Sequence, residues 1–371
     1  MKPFSDTLRF IRQQDKIMLI FLILALLSSL GGSPSVESID WTVIITLFAL
    51  ITTVNYWQYF GLFERIIVSL TNQFKSTRSL QVTLVYCAFI SSMLITNDVS
   101  IIVLLALFLP LSKRVKINPV STTILIIVAA NLGSALTPLG NPQNMFLYFY
   151  YKLTIKQFIL ITAPIVAVST VVLWGLCRRL PNQPINEVLK PTHRFSVAGN
   201  AAFLLVFLAI LVSLFHLIPV TIVLFLSLIA ATVCGYKQLF RQNYSLLFTF
   251  IFAFVFIGNL GKLPMVTNLL ENLVTSPIHV FISSVLVSQI ISNVPAAILL
   301  GHYTLEWQPL IVGVNIGGLG TLIASMASLI GYKALNMHYP DLSRQFLYKF
   351  TVVNACLVIL LSAPYVIYYL Y

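Results

Sequence analysis

Long apolar runs alternate with short polar segments along the whole chain. Each run is close to the roughly 20 residues that an α-helix needs to cross the hydrocarbon core of a bilayer. The pattern therefore predicts an all-α polytopic membrane protein, with membrane lipid as the solvent for most of the chain. The uninterrupted runs predict single helices at 17–31, 41–61, 156–176, 197–216, 219–235, 244–260 and 345–370.

Four further apolar runs are divided by polar, glycine or proline residues. Two have the length of a helical hairpin, at 79–111 and 277–304, and two contain Gly-rich interruptions, at 119–151 and 309–336. Backbone groups at membrane depth are tolerated outside regular helix only where protein or water satisfies them. We therefore expect two re-entrant helical hairpins and two broken transmembrane helices.

The hairpins and breaks share landmarks in the two halves of the chain. Asn97 and Asn293, at the hairpin tips, are 196 positions apart. Asn131 and Asn315, in the Gly-rich segments, are 184 positions apart. A weaker match links the segments that begin at Gly61 and Gly261. Interrupted hydrophobic segments at corresponding places in two inverted repeats favour a secondary transporter with its site at the bilayer midplane.

The landmarks divide the chain into four parts. They are a cytoplasmic N-terminus at 1–16, a first inverted repeat at 17–176, a cytoplasmic linker at 177–196 and a second inverted repeat at 197–371. The apolar run at 17–31 is expected to remain as a helix rather than be cleaved as a signal peptide, because the first repeat needs it and no A-x-A site follows.

The distribution of Lys and Arg predicts the orientation. If both hairpins turn back inside the membrane, nineteen of the 22 basic residues lie on one side, and Lys152, Lys156 and Lys262 lie on the other. Short loops rich in Lys and Arg stay in the cytoplasm. We expect a multi-pass protein of the cell (inner) membrane with its N-terminus cytoplasmic and its C-terminus external.

Composition excludes several classes of function. The chain is 58% hydrophobic and 9% charged, and its net charge of +12 follows from the cytoplasmic loops. Nucleic acid is not an expected partner, because the basic clusters lack the stacking aromatics of nucleic-acid channels. Neither a metal-binding cysteine spacing nor a hydrolase motif is present, so we expect no enzyme and no cofactor. The expected ion is a coupling Na⁺ or H⁺.

The breaks carry the predicted chemistry. Asn141 precedes Pro142, and Asn293 lies two residues before Pro295, so a new half-helix is expected to begin at each place. Free N–H groups at such helix starts attract anions without any basic side chain. The carbonyl ends of the preceding half-helices would suit a sodium ion. The second break, with Gly317 to Gly320, adds the hydroxyls of Thr321 and Ser325.

Asp98 is the one acidic residue of ten that falls at predicted membrane depth. An intramembrane carboxylate is costly and is by default a functional hypothesis. The alternative is that Asp98 caps the returning helix of the hairpin. A charged Asp98 would repel an adjacent anion, so it should hold a cation, carry a proton or serve a neutral substrate.

The same residues resemble a known superfamily. Ser38-Ile39-Asp40-Trp41, Thr96-Asn97-Asp98 and the segment from Gly133 to Asn144, GSALTPLGNPQN, are similar to the ion transporter superfamily of arsenite permeases, NhaD-type antiporters, citrate transporters and divalent-anion sodium symporters. The resemblance implies an elevator-type homodimer, with early helices of each repeat as scaffold and the hairpins and broken helices as the moving part.

The resemblance also implies site residues. The cation-coupling residues would be Thr96, Asn97, Asp98, Gly140, Asn141, Ser292, Asn293 and Ser325. The substrate-binding residues would be Asn97, Asp98, Asn141, Asn144, Asn293, Val294 and Thr321. The sodium symporters of the superfamily carry Ser-Asn-Thr at both tips. Thr96-Asn97-Asp98 and Ser292-Asn293-Val294 depart from that pattern, and the added acid and missing hydroxyl weigh against a dicarboxylate substrate.

Two functions follow. The first is sodium- or proton-coupled transport of a small organic or inorganic anion, indicated by the helix starts at both breaks and by the resemblance. The second is sodium/proton antiport or proton-driven efflux of a neutral metalloid hydroxide of the arsenite type, which Asp98 favours. A gated channel is the remaining alternative, and it would pass current beyond any stoichiometric exchange.

Overall fold

The computed structural model describes residues 18–30, 36–71, 73–74, 76–184, 195–242, 244–260 and 262–371. The predicted N-terminal segment 1–16, Gly261 and residues 185–194 of the predicted linker lie outside the described residues. Within them every regular element is a helix, apart from one isolated bridge between Ser76 and Pro184. This confirms the all-α prediction.

Eight α-helices lie in the described part of the first half of the chain. They are α1 (Met18–Ser29), α2 (Trp41–Tyr59), α3 (Leu62–Thr71), α4 (Thr77–Ile95), α5 (Asn97–Arg114), α6 (Val120–Ser134), α7 (Pro142–Tyr150) and α8 (Ile155–Cys177). The region predicted as the first hairpin thus forms α4 and α5, which are separated by Thr96 alone. The region predicted as the first broken helix forms α6 and α7.

Nine α-helices follow among the residues that the structure describes in the second half. They are α9 (Val197–Leu214), α10 (Val220–Gly235), α11 (Ser245–Leu260), α12 (Pro264–Leu273), α13 (Pro277–Ile291), α14 (Asn293–Gly301), α15 (Trp307–Gly317), α16 (Met326–His338) and α17 (Ser343–Leu370). Helices α13 and α14 are separated by Ser292 alone, as α4 and α5 are by Thr96. Helices α15 and α16 enclose the second Gly-rich segment.

Five elements of the described residues are long and apolar enough to cross a membrane: Thr77–Ile95, Ile155–Cys177, Val197–Leu214, Val220–Arg241 and Pro340–Leu370. Four shorter apolar helices accompany them. This supports a membrane-embedded protein. The first of the five is α4, so one arm of the first hairpin has by itself the length and composition of a crossing helix.

Helix α12 was missed by the sequence analysis, which placed no helix between 260 and 277. Its sequence PMVTNLLENL is amphipathic and starts with proline at the first helical position. Helix α3 is also amphipathic and follows α2 as α12 follows α11. Helix α12 is shorter than a membrane span, so a search for long apolar runs does not detect it.

Contacts between Cα atoms divide the chain into two compact units that do not coincide with the sequence repeats. Unit 1 takes the residues up to Phe60, Ser196–Thr275 and Ile298–Thr304. Unit 2 takes Gly61–Phe195, Ser276–Ala297 and Leu305–Tyr371. Each of the two repeats predicted from the sequence therefore contributes residues to both units.

Unit 1 is built around α2, which packs against α9, α10 and α11. The Tyr56 ring of α2 stacks on Phe203 of α9 with centroids 4.2 Å apart, and its hydroxyl donates to the carbonyls of Ala231 and Gly235. Asp40 caps α2 by accepting from the backbone N–H groups of Thr42 and Val43. A buried aromatic face with its one polar group satisfied is what a membrane interior requires.

Unit 2 contains both hairpin tips and both breaks. Its most extensive helix contacts are between α4 and α6 and between α13 and α15. The first helix of each predicted hairpin therefore packs on the first helix of a predicted broken pair. A Cβ on Gly133 would lie 2.0 Å from the Phe89 carbonyl oxygen, and one on Gly317 would lie 2.8 Å from the Ser288 side chain. Glycine at these positions permits the close helix approach on which the site is built.

Candidate functional site

The two hairpin tips have almost the same unusual backbone. Thr96 has φ 72° and ψ 151°, and Ser292 has φ 77° and ψ 152°. Positive φ with ψ near 150° is a region that is essentially confined to glycine, and it is costly for residues with a side chain. Strained conformations of this kind persist only where the surrounding contacts impose them.

Each tip is tied to the break of its own half by a backbone hydrogen bond. The Asn97 N–H donates to the Gly140 carbonyl at 3.0 Å, and the Asn293 N–H donates to the Ala324 carbonyl at 2.9 Å. The two donors are 196 positions apart and the two acceptors are 184 apart, as in the sequence landmarks. The predicted coupling residues Asn97 and Gly140 are thereby brought together.

A threonine in each break repeats the same contacts. The Thr137 hydroxyl donates to the Met93 carbonyl and accepts from the Gly140 N–H at 3.1 Å. The Thr321 hydroxyl donates to the Gln289 carbonyl at 3.2 Å and accepts from the Ala324 N–H at 3.2 Å. Thr321, expected to bind substrate, is exposed but committed to these contacts.

Asn131, at the end of α6, connects the first tip to the second break. Its side-chain oxygen accepts from Asn97 Nδ2 at 2.9 Å and from the Ser325 hydroxyl at 3.1 Å. Its Nδ2 donates to the Ser328 hydroxyl at 3.2 Å. The predicted residues Asn97 and Ser325 therefore share one carboxamide, although they are far apart in the chain.

Asn315, at the end of α15, makes the reciprocal connection to the first break. Its side-chain oxygen accepts from Asn141 Nδ2 at 3.2 Å, and its Nδ2 donates to Asn144 Oδ1 at 2.7 Å and to the Ile311 carbonyl at 2.8 Å. Asn141 and Asn144 correspond to Ser325 and Ser328 at the same offset of 184 residues. The end of α6 is thus bonded to the start of α16, and the end of α15 is bonded to the start of α7.

Asn141 starts the half-helix α7 in the predicted way. Its side-chain oxygen accepts from the Asn144 N–H at 3.0 Å, with Pro142 at the first helical position. Its Nδ2 donates to the Ser134 hydroxyl at 3.0 Å. Asn141 and Asn144 are buried and fully engaged, so they form the wall of the site more than its open surface.

Asp98 differs from its neighbours in having no partner for its carboxylate among the residues that the structure describes. It lies in the first turn of α5, half-buried, and its backbone N–H donates to Asn97 Oδ1 at 2.9 Å. No side chain caps α5. The capping alternative for Asp98 therefore lacks the hydrogen bond that it requires.

Asn293, at the second tip, has a side-chain nitrogen that is bonded to none of the described residues. Asn293 is buried at 4% exposure, and its side-chain oxygen accepts from the Ser292 hydroxyl at 3.5 Å. Within the described chain its Nδ2 donates to no group, and Val294 beside it is buried at 8% exposure. No hydrogen bond between described residues joins Asn293 to Asn97. Among the described residues the tips thus leave two side-chain groups without a hydrogen-bond partner, the Asp98 carboxylate and Asn293 Nδ2.

Comparison with protein families accounts for this architecture. Residues 10–312, more than three quarters of the chain, match the citrate transporter family. The chain belongs to the citrate transporter family. It is therefore a membrane transporter, and the resemblance to the ion transporter superfamily is confirmed.

Two relatives are similar to this chain over most of their length, and a third over a shorter part. An uncharacterized transporter of Methanocaldococcus jannaschii is 32% identical over 327 residues, covering 85% of this chain and 87% of the relative. The inner membrane protein YbiR of Escherichia coli is 28% identical over 350 residues, covering 90% of each. A silicon efflux transporter of Oryza sativa subsp. japonica is 26% identical over 144 residues, covering 39% of this chain and 28% of the relative.

In this member of the citrate transporter family, Gln289 is a site residue that was not predicted from the sequence. Gln289 lies on α13, four residues before Asn293, and bonds to four backbone groups of the second break and its own helix. A Cβ on Gly320 would lie 2.2 Å from its Oε1, and Gly320 has φ 97°. A polar side chain one helical turn before a tip was the available signal.

The carbonyl groups at the C-terminal ends of α6 and α15, which were expected to suit a sodium ion, are bonded to side-chain amides. The Ser134, Ala135 and Thr137 carbonyls accept from Asn144 Nδ2. The Gly317 and Leu319 carbonyls accept from Gln289 Nε2. Both sets of carbonyl oxygens are already occupied by side-chain amides.

Proposed function

We propose that this transporter moves a small organic or inorganic anion coupled to Na⁺ or H⁺. The observation that carries the proposal is the contrast at the first tip, where the Asp98 carboxylate is unpaired among the described residues while Asn97 and Thr137 beside it are bonded. A carboxylate at membrane depth needs a cation or a proton to offset its desolvation.

The anion would lie near the second tip. There the Val294 N–H at the start of α14 and the Nδ2 of Asn293 are hydrogen-bond donors without an acceptor among the described residues, and no positive side chain accompanies them. Such donors recognise anions through the helix dipole and direct hydrogen bonds. A cation held by Asp98 would neutralise that carboxylate, and only then does binding of an anion in the same unit become favourable.

We further propose that the two halves are inverted repeats with re-entrant hairpins. The proposal is supported by the matching tips and tip-to-break bonds, and by the reciprocal bonds of Asn131 and Asn315. In an elevator-type mechanism, unit 2 would carry the site and unit 1 would be the scaffold of a homodimer. We propose an inner-membrane location, which the name of the Escherichia coli relative supports. The orientation, with the N-terminus inside and the C-terminus outside, is supported by the distribution of basic residues.

The second candidate is sodium/proton antiport or efflux of a neutral metalloid hydroxide. Asp98 favours it, because a carboxylate that alternates between proton and sodium needs no anion. The relative from Oryza sativa is by its name a silicon efflux transporter, and silicon is a metalloid.

Flux measurements in proteoliposomes separate the two candidates. We expect an inward gradient of the coupling cation, sodium or protons, to drive uptake of one of radiolabelled citrate, succinate or sulfate, and that cation to enter only when the substrate is present. Proton movement driven by sodium alone would establish antiport and overturn the symport proposal. Empty liposomes and the Asp40→Asn variant are the controls, since Asn caps a helix as well as Asp does.

A further inference from the structure

The carbonyl end of α15 is filled by one side-chain amide. Gln289 Nε2 donates to the Gly317 carbonyl at 2.7 Å, to the Leu319 carbonyl at 3.1 Å and to the Val285 carbonyl at 3.2 Å. The orientation of the carboxamide is fixed from its other side, because Gln289 Oε1 accepts from the Thr321 N–H at 3.0 Å. The nitrogen therefore faces three carbonyl oxygens.

The carbonyl end of α6 is filled in the same way from a different position. Asn144 Nδ2 donates to the carbonyls of Ser134 at 3.2 Å, Thr137 at 3.3 Å and Ala135 at 3.4 Å. Its Oδ1 accepts from Asn315 Nδ2 at 2.7 Å, which again fixes the amide orientation. Two unrelated positions in the sequence thus place an amide nitrogen among three carbonyl oxygens.

A cluster of carbonyl oxygens at the end of a helix is the negative pole of the helix dipole, and oxygen is the ligand that hard cations prefer. An amide NH₂ group satisfies such a cluster with partial positive charge and needs no bound ion. A sodium ion at either end would have to displace the amide, whose N–H groups would then lose their acceptors.

The first tip lacks such an amide next to its unpaired carboxylate. The residue that corresponds to Gln289, four positions before Asn97, is Met93, whose side chain has no N–H group. Asp98 supplies a formal negative charge at the same tip, and the second tip has Val294 in its place. The charge that attracts a cation is therefore concentrated at the first tip.

We propose that Gln289 and Asn144 take the place of cations at the carbonyl ends of the two broken helices. This transporter then couples to a single cation, bound at the first tip beside Asp98. The inference rests on the proposed cation coupling and limits its stoichiometry. Gln289 is in this role a positioning residue, which keeps the second break assembled without an ion.

The test is sodium-dependent thermal stability of the full-length protein in detergent, with choline chloride keeping the ionic strength constant, at pH 6 and pH 8. We expect sodium to stabilise the wild type through one site and Asp98→Asn to abolish that response. Gln289→Met copies the corresponding residue of the first half and opens the second carbonyl cluster. The double variant Asp98→Asn/Gln289→Met should therefore regain a sodium response that Asp98→Asn lacks.

A sodium response retained in Asp98→Asn alone, or absent from the double variant, would overturn the inference. If Gln289→Met does not fold, Gln289→Glu replaces it, because a carboxylate facing carbonyl oxygens should require a bridging cation and make the protein more sodium-dependent. Gln345→Met, at an exposed position on α17, is the matched control. Failure of the proposed function has a different signature: the wild type would respond neither to sodium nor to pH, whatever the Gln289 variants do.

Discussion

Thr96 and Ser292 hold side chains in a backbone conformation that glycine adopts most easily, and they do so at the two places where hairpins turn. Strain of this kind costs about 1–3 kcal/mol per residue and tends to accumulate where a conformation is needed for function. The neighbouring Asn97 and Asn293 N–H groups are aimed at the breaks by this turn. The strained backbone at Thr96 and Ser292 therefore positions Asn97 and Asn293, the first residues of α5 and α14.

Relief of that strain is the first prediction. Thr96→Gly should raise the melting temperature, because roughly 1–3 kcal/mol of strain is removed and only about 0.5–1 kcal/mol is lost to glycine entropy. Transport should fall at the same time, since the turn becomes able to adopt other conformations. Thermal denaturation and uptake on the same preparation check both effects. A destabilised variant would show that Thr96 is not strained.

A second prediction at the residue scale concerns helix approach. Gly133→Ala places a Cβ 2.0 Å from a backbone carbonyl oxygen, so α4 and α6 must separate, at a cost of about 1–3 kcal/mol. Gly175→Ala is the matched control, because nothing lies within 4 Å of its Cβ and alanine favours a helix by up to about 1 kcal/mol. Melting temperatures should move in opposite directions. Equal shifts would contradict the close packing.

At the scale of elements, the asparagines at the ends of α6 and α15 join each broken helix to the other. A double-mutant cycle on Asn131→Ala and Ser328→Ala should give a coupling energy of roughly 0.5–3 kcal/mol, as expected for residues in one hydrogen-bond network. The cycle on Asn315→Ala and Asn144→Ala should give a value of the same sign. Additive effects in both cycles, measured by thermal denaturation, would show that the breaks are independent.

Sequence reasoning was strongest where a pattern is local. Proline at 142 and a capping Asn141 predict a helix start, and the structure begins α7 there. The amphipathic α12 was missed because it is short, and Gln289 because its partners are distant in the chain. Asn131 and Asn315 were recognised as landmarks, but their bonds to Ser328 and Asn144 depend on how the two breaks approach in space, which no local pattern contains.

At the scale of the whole molecule, the inverted-repeat account predicts which side each terminus and tip occupies. In a cysteine-free background, a cysteine replacing Lys113 should react with a membrane-impermeant maleimide only from the cytoplasm, and one replacing Lys262 only from outside. A cysteine at exposed Thr321 should react from both sides, with substrate changing the ratio, because alternating access moves the site. If cysteines that replace Arg78, at the start of α4, and Lys113, at the end of α5, react from opposite sides of the membrane, the first hairpin is a full crossing.

The central claim is that Asp98 couples a cation to transport, and a sodium-concentration jump on a supported membrane tests it most directly. Purified protein is adsorbed in liposomes, and transient currents are recorded with citrate, succinate, sulfate or arsenite present or absent. We predict a current that requires one of these substrates, is lost in Asp98→Asn and persists in Asp40→Asn. A substrate-dependent current of wild-type size in Asp98→Asn would contradict the account.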